Sequence, residues 1–80
     1  MELCQKVLKS KEMIDHYGAT YDVKLIEVKG IFVVDSSHPS WGTHCYEDLE
    51  YAKKAYSLAL DIVIPCLVSP KTFRYFDAIS

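Results

Sequence analysis

Between Tyr46 and Leu60 the chain reads YEDLEYAKKAYSLAL, with apolar positions recurring every three or four residues. Leu49, Ala52, Ala55, Tyr56, Ala59 and Leu60, with Val63 in phase beyond them, fall on one face at about 100° per residue. Glu47, Glu50, Lys54, Ser57 and Asp61 fall mostly opposite. The pattern predicts an amphipathic helix, capped near Thr43 or His44, with acids in its first turn against the positive end of the dipole. Its apolar face is mostly alanine, so the backbone can lie close to a sheet. Tyr51 and Leu58 point away from that face, either onto a second helix or into solvent as part of a contact patch.

The remaining pattern is less regular. Residues 2–17 predict a helix from the stripe Leu3, Cys4, Val7, Leu8, Ile14 and Tyr17, with Gly18 at its stop. Thr20 to Val28 alternates Tyr21, Val23 and Leu25 against Asp22 and Lys24, then slips phase at Leu25-Ile26. That predicts a strand that is either bulged or covered on both faces. Lys29-Gly30 predicts a hairpin through a type I turn with a glycine bulge. Ile31 to Val34 is apolar throughout, which predicts a central strand or one covered on both sides.

Asp35 to His44, DSSHPSWGTH, reads as the main loop. Ile62 to Val68 has strand composition, but Pro65 confines it to a sheet edge or delays its start to Cys66. Ser69-Pro70 then opens a terminal segment. Phe73, Phe76 and Ile79 fit a short helix there, and TFRYF fits a strand equally well. The order is α-β-β-α-β with an optional final α: an α+β two-layer domain over residues 1–80. Its antiparallel sheet has order 2-1-3, set by a right-handed crossover, and is covered by helices.

Eighty residues allow one small core. Half the residues are hydrophobic and a quarter charged, which is globular composition rather than disorder. A net charge of −2 gives no electrostatic footprint for nucleic acid. The N-terminus carries charges throughout and no apolar run reaches spanning length, so the expected location is the cytoplasm, away from membrane. Cys4, Cys45 and Cys66 are three and widely spaced, which predicts free thiols, with Cys4 and Cys66 in the core.

Candidate chemistry gathers around the main loop. His38, His44 and Cys45, with Asp35 as a fourth group, are competent zinc ligands, but H-x5-H-C matches no common zinc spacing. Cys45 near a helix start would have an activated thiol, yet neighbouring His44 rarely meets the geometry of a Cys-His pair. Recognition fits better: Trp41 and Tyr46 are large groups of the kind that dominate interfaces. Trp41 could equally plug the open end of the core.

No motif here identifies a family. The expected function is therefore a non-enzymatic protein-binding module without a cofactor. It would be a small regulator or inhibitor that covers a partner's surface, as do inhibitors that phages and mobile elements direct at host defence. The expected contacts are His38, Trp41, Tyr46, Tyr51 and Leu58, and a homodimer is compatible with them. The alternative is a metal- or thiol-dependent protein using His38, His44 and Cys45.

Overall fold

The computed structural model describes residues 5–79. Five strands, Gln5–Ile14 (β1), Thr20–Val28 (β2), Ile31–Ser36 (β3), Thr43–Tyr46 (β4) and Lys71–Asp77 (β5), form one antiparallel sheet of order β4-β3-β2-β1-β5. One helix, Leu49–Val63 (α1), lies across one face and runs into a short 3-10 turn, Ile64–Cys66. The molecule is a small α+β domain, as its pattern predicts, but the helix count and strand order differ.

The alanine stripe behaves as expected. Ala52, Ala55, Tyr56, Ala59 and Val63 are buried against Leu8, Met13, Val23, Leu25 and Val34 of the sheet. Asp48, rather than Thr43 or His44, caps the helix, its carboxylate accepting a hydrogen bond from the Tyr51 N–H at 3.1 Å. Thr43 and His44 belong instead to β4, so the segment read as loop ends in an edge strand.

Residues 5–14 form a strand, not a helix, and Leu3 and Cys4 of the expected stripe lie outside the described residues. The pattern misleads because β1 mixes its faces. A bulge between Val7 and Lys9 shifts the side-chain alternation. Lys9 and Lys11 stand opposite Leu25 and Val23 on the helix-covered side. Lys9 is tolerated there because its ammonium pairs with the Asp77 carboxylate at 3.5 Å and sits 5.7 Å from the centre of the Tyr56 ring.

This one change reorders the sheet. β1 takes the place beside β2 that the expected order gave to residues 62–68. That segment does not become a strand, because α1 carries Ile62 and Val63 into its last turn and Pro65 sits at the start of the 3-10 turn. The chain reaches the sheet only at Lys71, and the terminal segment resolves as a strand beside β1.

The β2–β3 hairpin is as expected, but its turn is not. Val28 pairs with Ile31, and both Lys29 (φ 51°) and Gly30 (φ 82°) are left-handed, which is a two-residue type I′ turn. Its twist matches that of the strands without any bulge.

Tyr56 gives the fold a signature at high pH. Burial, and secondarily the nearby Asp77 carboxylate, push its phenol up to about 12. The unfolded chain ionises this group near 10, so its contribution is complete below pH 10 and is lost as pH rises toward 12. Wild type should lose about 2 kcal/mol more than Tyr56→Phe across that window, measured by urea melts at each pH.

Candidate protein-binding surface

The apolar pattern of β2 and β3 predicts cover on two faces, and α1 supplies it on one. Side chains alternate along each strand, so residues paired across the ladders share a face. Val23, Leu25 and Val34 face α1 and are fully buried. Ile26, Val28, Ile31 and Val33 face the other way, joined by Val7 opposite Ile26 and Cys45 opposite Val33. Among the described residues no element lies over this outer face. The phase slip at Leu25-Ile26 coincides with the bulge of the β1–β2 ladder, whose extra residue, Leu8, is on β1 and not on β2. The slip marks a regular strand with an apolar outer row.

The row has a polar border. Lys24 bridges Asp22 at 3.5 Å, and Arg74 bridges Glu12 at 3.3 Å. The Thr43 hydroxyl donates to the Asp35 carboxylate. A shallow hollow of about 380 Å³ lies over Ile26, Val28 and Val33, rimmed by Gln5, Lys24, Asp35 and Thr43. An apolar floor with a charged and hydroxyl rim is the usual layout of a protein interface. Toward β5 the face continues through Phe76, which stands opposite Ser10, and β5 is exposed along its whole length.

The five contact residues expected from the sequence lie on the other layer. Tyr51 and Leu58 project from the outer side of α1, 68% and 52% exposed. No second helix covers them among the described residues. Trp41 and Tyr46 are half-buried and pack against the core. The Trp41 indole N–H donates to the Val34 carbonyl at 3.1 Å, which fixes the ring against β3. His38 lies 5.1 Å from the Tyr21 ring, centre to centre, and its Nδ1 accepts from the Ser40 N–H at 3.1 Å.

The alternative constellation does not converge. His44 and Cys45 are consecutive in β4 and so point to opposite faces. The His44 Nε2–H donates to the Trp41 carbonyl at 3.0 Å, while Cys45 lies on the outer face with Val33. Among the described residues no three His, Cys, Asp or Glu side chains are grouped to hold a metal ion. Cys66 is exposed rather than in the core, its thiol against the Ile62 carbonyl at 3.3 Å, and Cys4 lies outside the described residues.

The outer row was the surface that sequence reasoning passed over. Its signal was present in Ile26, Ile31 and Val33, but it reads equally as burial inside a thicker fold. No described helix is long and apolar enough to cross a membrane. No protein-family model matches the chain, and neither a curated protein nor a solved structure does.

Proposed function

We propose that this protein is a non-enzymatic binding module, a small regulator or inhibitor that acts by laying the outer face of its sheet on a partner protein. One observation carries the reading: β2 and β3 are patterned for burial on two faces and α1 covers one. A partly exposed apolar row with no element over it among the described residues favours association, because covering it removes nonpolar surface from water. The polar rim would set orientation more than affinity. Tyr51 and Leu58 form a separate, smaller contact on the opposite layer, and His38, Trp41 and Tyr46 a rim beside it.

Capture from an extract of the cells that make the protein separates these surfaces. Ile26→Lys/Val33→Lys should weaken retention of a specific partner roughly tenfold or more, as expected for a hot spot at the centre of an interface. Tyr51→Ala/Leu58→Ala should leave retention within a few fold. The reverse pattern would move the interface to the helix layer. Equal retention by all three proteins would remove the sheet face from consideration.

A further inference from the structure

We propose that two copies of this chain pair through β5, edge to edge and antiparallel, to make one continuous sheet. This goes beyond the binding role of the outer face and does not depend on it. The two edges of the sheet are unlike. β4 is four residues long, which itself limits pairing. β5 is seven residues, Lys71–Asp77, with no proline; a bulge interrupts its ladder between Thr72 and Arg74, and Tyr75, 74% exposed, lies in the regular part beyond it. This edge sets Phe73, Tyr75 and Phe76 among the charged residues Lys71, Arg74 and Asp77, and an unpaired edge is a template for pairing with another strand. Among the described residues β5 has β1 as its sole neighbour.

The backbone has a definite phase. The Ala78 N–H donates to the Leu8 carbonyl at 2.8 Å. Hydrogen-bonding directions alternate along an antiparallel strand, so Phe76 and Arg74 also turn their peptide groups toward β1, where they stand opposite Ser10 and Glu12. Tyr75 turns its N–H and C=O outward. A two-fold axis through Tyr75 lets each copy donate to, and accept from, the same residue of the other.

The side chains favour that register. A pairing centred on Arg74 would set two guanidinium groups directly opposite each other, which is destabilising. A pairing centred on Tyr75 sets Arg74 against Phe76 of the second copy, twice by symmetry, as a cation beside an aromatic ring. Phe76 is 49% exposed and free to take that contact. The axis is perpendicular to the sheet, so both helices lie on one side. The two outer faces lie on the other, giving a sheet of ten strands, five from each copy.

The test is sedimentation velocity of the full chain, from low micromolar to the highest soluble concentration. Wild type is expected to shift with concentration to twice the 9.1 kDa chain mass. Phe76→Lys, which opposes Arg74 of the second copy, should raise the dissociation constant about tenfold or more. Phe76→Glu, which offers that arginine a carboxylate, should leave it within a few fold. Far-UV circular dichroism checks that both variants fold. A wild-type monomer at every concentration overturns the proposal and is the result expected of an edge reserved for another protein's strand. Equal effects of the lysine and glutamate variants overturn it too, since they would show that no arginine stands opposite position 76.

Discussion

Leu25→Ala should lower the unfolding free energy by about 2–5 kcal/mol, while Ile26→Ala, one residue along, should lower it by only about 1 kcal/mol. The two side chains are of equal size and share a strand. They differ in which face they occupy. Leu25 is fully buried between the sheet and α1, where truncation leaves a cavity in the packed core. Ile26 stands on the outer face, where water already reaches it and no cavity forms. A chain of 80 residues has a total stability of about 4–12 kcal/mol at typical values per residue. The larger loss therefore brings Leu25→Ala close to unfolding at room temperature. Urea titration followed by circular dichroism reads both variants. Similar losses would mean that the outer row is covered after all, and the proposed binding surface would go with it.

Ala59→Leu should cost about 1–3 kcal/mol or more, although leucine is as good a helix former as most residues. Ala59 has no exposed surface, and its methyl group is among the atoms that let α1 lie flat on the sheet. A leucine there must push the helix backbone outward or force neighbouring rotamers, and the sheet cannot yield because each interior strand is hydrogen-bonded on both sides. Ser57→Leu on the exposed side of the same helix adds similar bulk and should change stability by less than about 0.5 kcal/mol. The pair isolates packing from helix propensity. Equal effects would contradict close packing along Ala52, Ala55 and Ala59.

These contrasts also show what the sequence conveys and what it hides. The central helix was legible because its stripe keeps one period from Leu49 to Val63. The β2–β3 hairpin was legible because Lys29-Gly30 separates two strand-like runs. β1 was not. Its inward positions include Lys9 and Lys11, and a bulge changes the phase between Val7 and Lys9, so the two-residue period is broken and Val7, Leu8 and Ile14 fall at helical spacing instead. Its strand character comes from β2 and β5 on either side, contacts distant in sequence. Residues 62–68 failed in the opposite way. Ile62, Val63 and Ile64 have strand composition, yet the helix before them continues until Pro65 tightens the chain. At the candidate site, apolar residues on both faces of β2 and β3 signalled two layers of cover. Which of the two faces this chain itself covers depends on the three-dimensional arrangement of β4, α1 and β5.

The most direct test of the proposed binding surface uses two thiols already present. Cys45 is exposed on the outer face beside Val33, and Cys66 is exposed in the turn after α1. Alkylation of both can be followed by mass spectrometry in buffer and in an extract of the cells that make the protein. If a partner covers the outer face, the extract slows alkylation of Cys45 relative to Cys66, and Val33→Lys abolishes the difference. If Cys45 and Cys66 keep the same relative rates in buffer and extract, the outer face is not where this protein is bound.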